Sequence, residues 1–198
     1  PFIFSSSNLS FTNAFFESIS GITTTGATVI TDIDRLPQGI LIWRSLLQWF
    51  GGVGIIVLAL AILPTLQIGG MHLLHMEHDD PYEKTLPKIG QFILEIFLIY
   101  IFLTFICALL YFIAGMSGFD SIAHSMTTIS TGGFSTHNNS FGSFNSANIE
   151  WISILFMIIG SLPFVVYLKS IHGDWKTFFN DDQIKLFFIL VFFFVGIT

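Results

Sequence analysis

The chain has 198 residues, 53% of them hydrophobic and only 10% charged, with 24 Phe and a mean hydropathy of +0.77. Soluble domains carry roughly 25% charged residues, so this composition excludes a water-soluble globule and a disordered chain. Thirteen acids against seven bases leave no basic patch for a nucleic acid, and the single Cys107, inside an apolar run, can form neither an internal disulfide nor a metal framework. The class these facts point to is an all-α integral membrane protein.

From the N-terminus, Pro1 and the polar Ser5-Ser6-Ser7-Asn8 stretch show no signal-peptide pattern, and the last apolar run, from Leu186, is shorter than the roughly 20 residues a span needs. The sequence therefore reads as an internal part of a longer polypeptide. Residues 1–36 form an outer segment with a first short helix and loop, starting near Asn13. A crossing helix is expected over 37–64, opened by Pro37 and closed by Pro64. Residues 65–88 make a polar loop, and 89–115 a second crossing helix. Residues 116–147 hold a second short helix and loop, starting near Asp120. A third crossing helix over 148–168 is capped by Asn148, a loop covers 169–185, and 186–198 starts a fourth helix. Lys84, Lys88, Lys169, Lys176 and Lys185 lie in the loops 65–88 and 169–185, against Arg35 alone in the opposite segments. The base count puts those two loops in the cytoplasm.

The two outer segments repeat each other. At an offset of 107 residues Ser18 falls on Ser125, Ile22 on Ile129, Thr24 on Thr131 and Gly26 on Gly133, while Ser20, Thr23 and Thr28 meet Thr127, Ser130 and Ser135. A helix of about ten residues cannot cross a bilayer, yet these are too apolar for open water. A re-entrant hairpin fits: helix down, irregular strand back, then the following span. Irregular backbone at that depth is tolerated only inside protein or along a wet cavity. A Thr/Ser/Gly strand there offers carbonyl oxygens, rings of which can replace the hydration shell of K⁺, and the negative end of each helix dipole points to the same place. Ordinary Ser/Thr/Gly loops in open solvent would read with the same letters.

GITTTGAT (21–28), followed by LQWFGGVGIIVLALAILP (47–64), and FDSIAHS (119–125), followed by STGGFSTH (130–137), resemble the first two repeats of the TrkH potassium-uptake subunits, within the Trk/Ktr/HKT superfamily. The resemblance covers nearly the whole chain. It implies a helix–pore-loop–helix architecture, part of four such repeats around one K⁺ path. By that resemblance Thr23, Thr24, Thr25 and Gly26 form one filter strand and Ser130, Thr131, Gly132 and Gly133 the other. Gly26 is then the first filter glycine; in the second loop the 107-residue offset and a Gly-Phe step that recurs in the family favour Gly133, with Gly132 the alternative. It further implies K⁺ as the transported ion with no organic cofactor, no enzymatic activity and a bacterial inner-membrane, multi-pass location. The partners it implies are a second copy of the subunit and a cytoplasmic nucleotide-binding ring, TrkA, meeting loops 65–88 and 169–185. Symport with H⁺ or Na⁺ and simple channel conduction both stay open.

Other residues carry competing readings. Arg44 and Gln48 lie one turn apart in the first span, with Asp32, Asp34 or Glu17 as partners for Arg44. Glu95 suits either the cytoplasmic pore mouth or an interhelical hydrogen bond. Glu17 and His124 occupy equivalent positions in the two short helices, where Glu17 either sharpens the negative potential behind the filter or balances the helix dipole. Gly51, Gly52 and Gly54 suit close packing against a pore helix. His72, His75 and His78, beside Glu77, Asp79 and Asp80, give a rival reading as a metal-dependent membrane enzyme, although neither HExxH nor HxxEH occurs. A non-conducting structural subunit is the third reading. Two sequons, at Asn8 and Asn138, carry meaning only outside bacteria.

Overall fold

The computed structural model describes residues 1–4, 9–62 and 85–197, and among them the regular structure is helical, with no strand. Eight α-helices follow in order: α1 Phe11–Ile22, α2 Gln38–Ile62, α3 Thr85–Ile113, α4 Gly118–Ile129, α5 Ala147–Ser161, α6 Phe164–Ile171, α7 Trp175–Asn180 and α8 Asp182–Ile197. Short 3-10 turns at Ile33–Arg35 and Ser140–Phe144 lie in the connections that leave the two short helices.

The short helices begin three residues before the expected starts. Ser10 caps α1, its hydroxyl accepting the Asn13 N–H at 3.3 Å, and Ser117 caps α4 by accepting the Asp120 N–H at 3.1 Å. Ser117 also donates to the Asp120 carboxylate at 2.7 Å. Asn13 and Asp120 are thus the third helical residues, the position whose free N–H an N-cap side chain satisfies. Asn148 is likewise not a cap: α5 starts at Ala147 after Ser146, which makes no side-chain capping bond.

At 1.5 Å per residue the 25 residues of α2 and 29 of α3 extend about 37 and 43 Å, enough for a hydrocarbon core of about 30 Å. Within α3, Gly90–Ile113 combines that length with a mean hydropathy of 2.8. Its faces are inverted relative to a soluble helix. Leu94, Leu98, Phe102, Phe105, Leu109 and Phe112 line an exposed stripe at helical spacing, while Ile96, Tyr100, Cys107 and Tyr111 are buried on the other side. The buried side meets Ile129 of α4, Ile149 and Phe156 of α5, and Phe164 of α6 in the main core.

The expected third span, 148–168, is broken. Helix α5 stops at Ser161, Leu162 is extended (ψ 149°), and α6 leaves after Pro163 at 85° to α5. Proline has no N–H and biases the preceding residue out of the helical region, so a continuous apolar run still yields two helices. The Tyr167 hydroxyl donates to the Ile159 carbonyl at 2.7 Å across the bend. The segment 169–185, expected as a loop, contains the end of α6, all of α7 and the first turn of α8, which begins at Asp182 rather than 186.

Candidate functional site

Both short helices end in the same left-handed turn. Thr24 N–H bonds the Gly21 carbonyl and Thr25 N–H the Ser20 carbonyl, both at 3.0 Å. One offset later, Thr131 N–H bonds Thr128 O at 3.0 Å and Gly132 N–H bonds Thr127 O at 2.9 Å. This pair of bonds is the Schellman closure, which requires one residue at positive φ and commonly uses glycine. Here it is threonine: Thr24 at φ 55° and Thr131 at φ 53°. A β-branched residue in that region is an outlier. Two residues on, Gly26 (φ 77°) and Gly133 (φ 79°) turn the chain again. From Thr25 and from Gly132 the chain continues without regular structure.

The two loops abut. A Cβ added at Gly26 would collide with the carbonyl oxygen of Gly132, and one at Gly132 would collide with the side-chain amide of Gln48. A Cβ at Gly133 would meet nothing within 4 Å. Gln48, completely buried on α2, donates from Nε2 to the Gly132 carbonyl at 2.8 Å and accepts the Phe134 N–H on Oε1 at 3.0 Å. Adjacent glycines on α2 receive the two short helices: a Cβ at Gly51 would strike the Ile22 carbonyl, and one at Gly52 would lie 2.9 Å from the Ser130 Cβ. Gly54 contacts neither, since its Cβ direction is open. On α5, Gly160 repeats the arrangement against the Ile129 carbonyl, at 2.6 Å.

Arg44 takes Glu17 from its three candidate partners. Its Nε is 2.9 Å from Glu17 Oε1, Nη1 donates to the Ser135 carbonyl at 3.0 Å, and Nη2 donates to the Thr28 hydroxyl at 3.2 Å. The guanidinium also lies 4.2 Å from the centre of the Phe134 ring. Glu17 further accepts the Thr28 hydroxyl at 2.9 Å and the Val29 N–H at 3.1 Å. Asp32 pairs with Arg35 and Asp34 with His137. Glu17 sits mid-helix and is neutralised by Arg44, so neither a bare negative charge behind the loop nor first-turn dipole compensation describes it. Its counterpart His124 binds the Asp120 carbonyl through Nδ1 and Ser135 Oγ through Nε2, both at 2.9 Å. A carbonyl only accepts, so Nδ1 carries the proton and, in the neutral ring, Ser135 donates to Nε2. Thr28 and Ser135 are themselves one offset apart. Each short helix is therefore tied to its own returning strand at the same point, by a carboxylate in one repeat and an imidazole in the other.

Side-chain hydroxyls also cover the loops. The Thr23 hydroxyl donates to Ile19 O at 2.7 Å and contacts Thr25 Oγ1 at 2.8 Å, while Thr131 Oγ1 donates to the Ser130 carbonyl at 2.8 Å. The turns at Thr24 and Thr131 open onto a cavity of about 540 Å³, bounded also by Gly52, Tyr100, Gly160 and Gln183. The C-terminal ends of α1 and α4, with their negative dipole ends, reach this cavity. Glu95 is half-exposed and lies 3.8 Å from His172 Nε2, joining α3 to the residue after α6. The cluster His72, His75, His78, Glu77, Asp79 and Asp80 lies outside the described residues, and among those described no group of three His, Cys, Asp or Glu could hold a metal. The sequence had marked Gln48 only as Arg44's neighbour; its link to a loop 84 residues away has no local signal.

The family described as TrkH, cation transport protein, matches residues 1–195. The Trk system potassium uptake protein TrkH of Escherichia coli (strain K12) is 47% identical over 191 residues, covering 94% of this chain and 40% of that protein. The Trk system potassium uptake protein TrkI of Halomonas elongata is 40% identical over 192 residues, covering 96% of this chain and 39% of that protein. The crystal structure of the potassium transporter TrkH from Vibrio parahaemolyticus superposes with a TM-score of 0.81 at 42% identity, covering 94% of this chain and 38% of that one. The chain thus spans about 40% of the length of the curated relatives it matches.

Proposed function

Since the chain belongs to the TrkH family of cation transport proteins, we propose that it supplies two of the pore loops through which a complete potassium-uptake protein passes K⁺. The carrying observation is the recurrence, at one offset, of a left-handed threonine and a positive-φ glycine after each of two short helices whose loops touch. K⁺ entering from the outer side loses water to backbone oxygens of Thr23, Thr24, Thr25 and Gly26 on one loop and of Ser130, Thr131, Gly132 and Gly133 on the other. The Gly132 oxygen accepts from Gln48 and retains a second lone pair for the ion. Beyond the loops the ion meets the cavity, where two helix C-termini offset part of its dehydration cost. The step is dehydration and passage, with no bond made or broken.

In the same reading α2 and α3 cross a bacterial inner membrane, and the segments 65–88 and 169–185 face the cytoplasm. A second copy of the subunit and a TrkA-like nucleotide-binding ring are the partners that go with it.

The test uses the full-length protein in a bacterium lacking other K⁺ uptake. Gly26→Ser and Gly133→Ser each weaken discrimination of K⁺ over Na⁺ in growth and Rb⁺-uptake assays. Unchanged growth and selectivity in both variants removes the filter assignment. Chelator-sensitive turnover with freely substitutable loops would favour the enzyme reading instead.

A further inference from the structure

We infer that Gln48 is the positioning residue of the second filter loop, a single side-chain amide from α2 that fixes the backbone on both sides of Gly133. The inference rests on the ion-path reading above and deepens it. A buried amide in the apolar stretch Leu46-Leu47-Gln48-Trp49 is costly unless its hydrogen bonds are made. Gln48 makes one as donor, to the Gly132 carbonyl, and one as acceptor, from the Phe134 N–H. A neutral primary amide offers a donor and an acceptor side by side and adds no net charge beside a cation path. One turn earlier on the same face, Arg44 binds the Ser135 carbonyl. Helix α2 thereby holds residues 132, 134 and 135 and leaves the space beside Gly133 open.

This grip assigns separate reasons to the two adjacent glycines. Gly133 is needed for its positive φ, and Gly132 because any Cβ there meets the Gln48 amide. The residue equivalent to Gly132 in the first loop is Thr25, which carries the Cβ that the Gln48 amide excludes from the second. Because the Gly132 carbonyl also bounds the space beside Gly26, a shift of the Gln48 amide disturbs both loops at once.

The experiment measures Rb⁺ uptake by the full-length protein, with KM for K⁺ and inhibition by Na⁺ as ratios that do not depend on the amount of protein. Gln48→Met keeps the volume and loses both bonds; we expect K⁺ over Na⁺ discrimination to fall about tenfold, the scale of one to two lost hydrogen bonds. Gly132→Ala alone gives a similar loss, and Gln48→Ala with Gly132→Ala gives no more than Gln48→Ala, because the collision has gone. Wild-type discrimination in Gln48→Met, or additive losses in the pair, overturns the inference and leaves the ion-path reading standing. If Gln48→Met carries no Rb⁺, purified protein decides: a K⁺-induced rise in Tm equal to wild type overturns it, and loss of that rise supports it. A wild-type protein that does not prefer K⁺ to Na⁺ overturns the ion-path reading and this inference together.

Discussion

Arg44 and Glu17 form an ion pair 2.9 Å long with side-chain exposures of 1% and 0%. Removing two charges from water is expensive, and the pair persists because every element around it contributes a hydrogen bond: Thr28 and Val29 to the carboxylate, Thr28 and the Ser135 carbonyl to the guanidinium. The pair joins α1 to α2 within one repeat, and through Ser135 it reaches the loop of the next. It is a fastening between the two loops, made of groups buried from solvent.

Breaking the pair on one side strands the other charge. Arg44→Met is expected to destabilise the full-length protein by about 3–5 kcal/mol. Arg44→Met combined with Glu17→Met is expected to cost less than the sum of the two single changes, since neither charge is then left alone. Thermal unfolding in detergent, run as a double-mutant cycle, checks this; additive losses would mean that the two side chains act independently.

Glycine 51 and glycine 54, three residues apart on α2, are expected to respond oppositely to alanine. At Gly51 the new methyl meets the Ile22 carbonyl, and such overpacking costs about 1–3 kcal/mol. At Gly54 it meets nothing, and alanine in a helix interior is better than glycine by about 0.5–1 kcal/mol. A fall in Tm for Gly51→Ala beside a level or higher Tm for Gly54→Ala is the expected pair of results. The reverse order would refute the packing assigned to Gly51.

These glycines also mark what sequence can carry. The helical class, the 107-residue offset and the close approach of Gly51 and Gly52 were legible, because composition, repetition and clusters of small residues show in the letters themselves; Gly54, read with the same cluster, packs against nothing. Helix starts were less so. Ser-x-x-Asn at 10–13 and Ser-x-x-Asp at 117–120 offer two capping residue types each, and only the direction of the hydrogen bond selects the serine. Ser10 and Ser117 are themselves one offset apart, so extending the repeat upstream would have found them. The break at Leu162-Pro163 was hidden by an uninterrupted apolar composition, although the proline alone argues for it. Gln48 was illegible for a different reason: its partners lie 84 and 86 residues away, and no periodicity encodes such a pairing.

The two positive-φ glycines are expected to differ in severity. Alanine at Gly133 suffers only the left-handed backbone, about 1–2 kcal/mol, because the space beside it is open. Alanine at Gly26 suffers the same penalty and also strikes the Gly132 carbonyl, which drives the two loops apart. Na⁺ inhibition of Rb⁺ uptake should therefore rise more in Gly26→Ala than in Gly133→Ala. Equal effects would mean that the contact between the loops does not matter to the ion.

Thr24 and Thr131 set stability against function. Each holds a β-branched side chain at φ near 54°, a conformation that asparagine enters more easily. Thr24→Asn is expected to raise Tm, by an amount worth about 1 kcal/mol or less. Thr131→Asn should gain less, because the bond from its hydroxyl to the Ser130 carbonyl at 2.8 Å is lost. If the threonines are kept for the ion path, both variants are more stable than, or as stable as, wild type yet discriminate K⁺ from Na⁺ less well. Strain retained at a working site behaves in that way. A lower Tm in Thr24→Asn would show that the left-handed threonine is comfortable where it stands. A higher Tm with unchanged selectivity would show that the strain serves only to close the helix.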